Sequence, residues 1–240
     1  MYGVGFEVAS MINLKLLENS CGNSKFNDRK EILNSVIEFI KSKNAILLCD
    51  REFFSFKFTH YLISLDIPFV IRIKQSLNCA KEITKNLNGL RKTIKNMFVG
   101  KYKGKKLYLD VSAKKIKGDY LIVVSYQVSN PVKTYRKRWK IECFFKCLKT
   151  AGFNVENTKI TILKRLQTLF LLCGMAYVFC IKIGLWIHHN FEKMKFKKTL
   201  NCYQFSFFRY GLDWVTMMTI PPPNIPKITH FFNMLTNTVR

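Results

Sequence analysis

The chain has 240 residues, 48% of them hydrophobic, which is enough to bury the core of a large domain and too apolar for a disordered basic tail. Lys and Arg number 40 against 15 Asp and Glu, a formal charge of +25. Such an excess repels itself and calls for a polyanionic partner, nucleic acid first and an anionic membrane surface second.

In chain order, residues 11–17 (MINLKLL) read as a strand. Gly22, Asn23 and Ser24 make a turn, and Asn27 or Asp28 is expected to cap a helix on which Ile32, Leu33, Val36, Ile37, Phe39 and Ile40 recur with helical period. Residues 45–50 (AILLCD) are a short apolar run of the kind that forms a strand buried on both faces, and the run ends at the carboxylate of Asp50. The segment REFFSFKFTHYLISL after it is amphipathic and helical, and IPFVIRIK reads as a second buried strand. This β-α-β order implies a parallel sheet, in which functional groups gather at the carboxyl ends of strands, where Asp50 falls.

Residues 75–132 are rich in lysine and punctuated by Gly89, Gly100, Gly104 and Gly118. KKLYLDVSAKKI and DYLIVVSY alternate like antiparallel strands. After Asn130-Pro131 a long helix is expected to carry YRKRWKIECFFKCLK (residues 135–149), and the apolar run at residues 166–187 reads as a buried helix before IPPPNIP breaks regular structure. The expected division is an α/β core over residues 1–74, a β-rich basic insertion over 75–132, the second part of the core over 133–190, and a helical C-terminal region over 191–240.

The eight cysteines form no CxxC pair and the four histidines complete no zinc spacing, so the cysteines read as reduced and structural in a cytosolic protein. His188-His189 reads as a solvated helix end. The N-terminal MYGVGFEVAS lacks the cationic start and apolar stretch of a signal peptide.

One acid, Glu142, stands among the cations of residues 135–149. On a continuous helix Tyr135, Arg138, Glu142 and Lys149 fall within roughly 60° of one another, and Ile141, Phe144, Phe145 and Leu148 occupy an adjacent apolar sector of roughly 100°. Such a stripe is either an ordinary exposed face with an Arg138–Glu142 pair or, with Asp50 opposite Glu142, a carboxylate pair for Mg²⁺ and phosphodiester chemistry in a cationic groove.

With these residues in place, the chain resembles the DDE transposases of bacterial insertion sequences, in the branch with a Tyr-(2)-Arg-(3)-Glu-(6)-Lys signature. Tyr135, Arg138, Glu142 and Lys149 match its four positions, DREF at residues 50–53 is similar to the segment bearing the second catalytic Asp, and GNS, IPFVIRIK and FRYGLDW follow in the same order. The resemblance implies a ribonuclease-H-like fold, Asp50 and Glu142 as catalytic metal ligands for Mg²⁺, and Tyr135, Arg138, Lys149 and Arg51 on DNA. It implies double-stranded transposon ends and a second copy in a synaptic complex as partners, and a cytoplasmic, nucleoid-associated location without membrane.

The family's centre needs three carboxylates, and none of Glu7, Glu18, Asp28, Glu31 and Glu38 ends an apolar strand of the right kind. The expectation is therefore an incomplete ribonuclease-H-like core, truncated at its N-terminus and catalytically impaired. Two other classes stay open: a non-catalytic basic nucleic-acid-binding protein, and a membrane protein using residues 166–187. Trp139 could stack on a base or pack, and the lysines of residues 101–117 read as a solvated basic surface.

Overall fold

The computed structural model describes residues 14, 16, 24–150 and 152–219. They fall into two compact units: a sheet unit over Lys15–Trp139, and a helical unit made of Met1–Leu14 with Lys140–Arg240. The expected strand at residues 11–17 lies outside the described residues, apart from Leu14 and Leu16.

In the sheet unit, α1 (Phe26–Ser42) starts after Lys25, not at Asn27 or Asp28. The Asp28 carboxylate instead accepts the Lys25 backbone N–H at 2.9 Å, so its charge sits in the first turn, where the helix dipole favours it. β1 (Leu47–Cys49) follows. The next segment is not helical throughout: Arg51–Phe53 form a 3-10 turn, and α2 (Phe56–Ser64) begins only where the Ser55 hydroxyl accepts the Phe58 N–H at 3.2 Å. The Ser55 side chain is the N-cap that fixes where α2 starts.

β2 (Phe69–Arg72) pairs parallel with β1, with Cys49 opposite Ile71. Then come α3 (Asn78–Lys85), β3 (Arg91–Tyr102), β4 (Lys105–Ile116) and β5 (Asp119–Tyr126). The lysine-rich strands do not form a separate sheet: the order is β1-β2-β5-β4-β3, with β5 antiparallel to β2. Two-residue turns join β3 to β4 and β4 to β5, Lys103-Gly104 and Lys117-Gly118, with positive φ at both positions of each. That geometry matches the twist of the flanking strands and explains both glycines.

β2 and β5 are buried on both faces. Phe69, Ile71, Ile122 and Val124 join the core under α1 to α3, whereas Val70 and Val123 point the other way and pack with Val128, Val132 and Tyr135. The second cluster is closed by α4 (Pro131–Tyr135), whose first turn uses Pro131.

The helical unit holds α5 (Trp139–Lys149) from Lys140 onward, α6 (Leu163–Asn190), a two-stranded ribbon of β6 (Phe196–Lys197) and β7 (Cys202–Tyr203), and α7 (Phe207–Thr219). Phe144 and Leu148 of α5 pack with Cys173, Tyr177, Cys180 and Ile181 of α6 and with Phe208 of α7. Ile141 and Phe145, expected in the apolar sector, are exposed. α6 is long and apolar enough to cross a membrane, and its Tyr177, Cys180, Ile183 and Ile187 are buried inside the unit. His188 is not a solvated end: its Nδ1 accepts the Met194 N–H at 2.9 Å, and its ring meets Tyr203 and Phe207.

No disulfide links the described cysteines. Burial pushes the thiols of Cys49 and Cys180 up to about 12 and about 11, and the phenols of Tyr135 and Tyr177 to about 12 each. Ordinary values are 9 for the thiols and 10 for the phenols, so the unfolded chain releases these protons first. Their contribution to stability is whole below about pH 9 and is lost as pH rises toward about 12. Urea melts at increasing pH are expected to show that alkaline loss; a midpoint that holds level to about pH 11 would contradict it.

Candidate nucleic-acid interface around Asp50

Asp50 is placed by β1, and Arg72 and Lys74 by β2. The parallel register that sets Cys49 opposite Ile71 brings the carboxyl ends of both strands to one edge, where ligands of open α/β sheets bind. The Asp50 side chain is 42% exposed and caps the 3-10 turn. Its Oδ1 accepts the Arg51 backbone N–H at 2.7 Å and the Tyr135 hydroxyl at 3.3 Å. Its Oδ2 lies 3.6 Å from Nη1 of Arg138, whose guanidinium stands 5.7 Å from the Tyr135 ring centroid. Four residues singled out in the sequence, Asp50, Arg51, Tyr135 and Arg138, are therefore together in one unit.

Tyr135 is only 6% exposed. Burial, more than any neighbour, raises its phenol to about 12, so it stays neutral and donates to the carboxylate. An open cleft of about 520 Å³ adjoins Asp50, lined by Arg29, Arg51, Arg72 and Lys74 along with Asp50 and Glu52. Four cations against two acids leave a positive cleft of a size and chemistry that suit phosphate oxygens. Arg29 is held in place by bonds to Ser24, Nε to the hydroxyl at 2.9 Å and Nη2 to the carbonyl at 2.7 Å, and by the Phe53 ring 5.0 Å away. At Asp119 the Tyr120 N–H and then Gln75 hold the carboxyl below its ordinary value, with Arg72 and Arg51 adding to the effect.

The signature segment is not one continuous helix. α4 ends at Tyr135, Arg136–Arg138 form a 3-10 turn, and α5 starts at Trp139. A 3-10 turn advances 120° per residue instead of 100°, so the 60° stripe computed for a regular helix does not hold through it. Glu142 and Lys149 belong to the helical unit. There Glu142 is half-buried on α5, and Lys149 is exposed and 2.9 Å from Glu156. Trp139 is exposed.

Among the described residues no three of His, Cys, Asp and Glu gather to hold a metal ion. The oxygens of Asp50 face a backbone N–H, a phenol and a guanidinium, which are donors and not the oxygen partners a hard divalent ion needs. The donor set in the sheet unit therefore does not fit a metal pair. Of the cleft cations, Arg51 alone is singled out by the sequence pattern; Arg29, Arg72 and Lys74 join it only in the structure. Arg72 and Lys74 are legible in the sequence, since IPFVIRIK reads as the strand parallel to the one ending at Asp50. Arg29 comes from α1, and no local pattern ties it to Asp50.

Comparison with protein families matches residues 8–179 to the family described as Transposase DDE domain. The matched stretch takes in the whole Asp50 cleft, Tyr135, Arg138, Glu142 and Lys149. Comparison with curated proteins gives no match.

Proposed function

The chain belongs to the transposase DDE domain family, and from that premise we propose that it serves DNA transposition by binding the phosphate backbone of transposon ends in the Asp50 cleft. The observation that carries this reading is the convergence of Arg29, Arg51, Arg72 and Lys74 on the strand end that bears Asp50. The family acts on DNA with a divalent metal. In this reading Arg51 and Arg138 take DNA phosphates beside Asp50 in the sheet unit, and Lys149 takes them in the helical unit. Tyr135 acts through Asp50, because its hydroxyl is spent there. The fold reading is a ribonuclease-H-like core of the bacterial insertion-sequence branch with the Tyr-Arg-Glu-Lys signature, pairing with a second copy on DNA in the nucleoid.

The second reading is a non-catalytic binder of nucleic acid. It is favoured by the engagement of both Asp50 oxygens with donors. Cleavage by this chain is accordingly expected to be weak.

One experiment addresses both points. Duplex binding followed by anisotropy across salt concentrations is expected to fall linearly on a log-log plot, and Arg72→Ala with Lys74→Ala to flatten the slope by about 2. An unchanged slope would remove the cleft from the DNA path. On the same duplex with Mg²⁺, cleavage is expected to stay near the level of the Asp50→Ala protein; efficient cutting abolished by Asp50→Ala would establish a full nuclease.

A further inference from the structure

Toward the outer edge of the sheet unit, away from the Asp50 end, an aromatic pair stands outside both cores. Phe98 on β3 lies directly opposite Tyr108 on β4, with ring centroids 5.7 Å apart and planes at 60°. The rings are 45% and 46% exposed. Their strand neighbours Met97, Val99, Leu107 and Leu109 are all buried, so alternation turns Phe98 and Tyr108 to the opposite, solvent face. A bulge between Phe98 and Gly100 adds local twist, and bulges of this kind re-aim a side chain.

The surroundings are cationic. Lys101 pairs with Lys106 two steps along the ladder, and Lys103 and Lys105 sit in and beside the turn; all four are exposed. On the other side the Asn96 N–H donates to the Asp110 carboxylate at 3.0 Å.

Two large rings kept in water among lysines do not suit an apolar protein partner, because each lysine would have to lose its hydration. They suit an anionic polymer with flat π faces, in which rings meet rings and ammonium groups meet phosphates. We propose that Phe98 and Tyr108 form a stacking platform for unpaired bases of single-stranded DNA, with Lys101 and Lys106 on its backbone. This rests on the DNA-binding reading above and adds a form of substrate to it. A duplex hides its base faces, so the platform discriminates unpaired strand from paired, whereas the Asp50 cleft holds phosphates of either.

The test uses the full chain with three targets: a short labelled single strand, its duplex, and vesicles of anionic lipid. Phe98→Leu with Tyr108→Leu keeps apolar bulk on both strands and removes the π faces. It is expected to weaken single-strand binding about tenfold or more and leave duplex binding unchanged. Phe98→Trp with Tyr108→Trp is expected to retain single-strand affinity, which separates stacking from simple packing. Equal losses on both DNA forms, or no loss on the single strand, would overturn the platform. So would a loss confined to vesicles of anionic lipid, which would mark the pair as a membrane-surface contact. Failure of the broader reading looks different: the unaltered protein would bind neither DNA form in a salt-dependent way.

Discussion

Gly211→Ala is expected to destabilise the helical unit by about 3 kcal/mol, although the same change on an exposed helix gains about 1 kcal/mol. The reason is backbone contact between α6 and α7. A Cβ added to Gly211 would fall well inside contact distance of the Cys180 carbonyl, and one added to Gly184 would strike the Phe207 carbonyl. Neither obstacle is the end of a flexible side chain that can swing away. Relief requires the helices to part, and that loosens Phe208 against Tyr177, whose rings are 5.0 Å apart, and the packing of Ile183 and Ile187 beside them. Gly184→Ala is expected to act in the same direction. For a unit of this size the midpoint of a thermal melt should fall by about 15 °C. A melt that is unchanged or raised would show that the helices do not approach through these glycines.

Tyr135→Ala is expected to cost the sheet unit about 3–4 kcal/mol, and Tyr135→Phe about 1 kcal/mol. The ring fills the cluster of Val70, Val123, Val128 and Val132, so truncation leaves a cavity lined by β-branched residues that cannot readily collapse into it. The hydroxyl contributes one bond to Asp50, whose Oδ1 keeps the Arg51 N–H when the phenol is lost. The pair of variants also separates two roles for Tyr135. If it supports Asp50 from below, Tyr135→Phe leaves duplex affinity and its salt slope in place. If the phenol itself bonded a phosphate, Tyr135→Phe would weaken binding with little loss of stability. Denaturant melts and anisotropy on the same two proteins decide between these outcomes, and a mild effect of Tyr135→Ala on stability would refute the core role.

Much of the sheet unit could be read from local pattern. β4 and β5 occupy the segments expected from their alternation, and β1 and β2 are parallel as the β-α-β order requires. Helix ends were less legible because caps depend on single side-chain bonds: Lys25 precedes α1 while Asp28 serves from inside it, and Ser55, not the residues after Asp50, starts α2. The break at Arg136–Arg138 was invisible for another reason. Periodicity assumes a regular helix, and nothing in YRKR marks a tighter turn.

By itself the sequence determined the chemistry available to this protein: a large cationic excess, a carboxylate at the end of a buried strand, and a Tyr-Arg-Glu-Lys spacing, because charge and short-range pattern are written in the order of residues. Only the tertiary structure decided which of those groups meet. Asp50 and Tyr135 are 85 positions apart, and their bond exists because β5 pairs with β2 and α4 folds over both. The same pairing, with α1 packed on the opposite face, gathers Arg29, Arg72 and Lys74 at one strand end. Meetings of that kind depend on strand register and packing across the core, which no local spacing encodes.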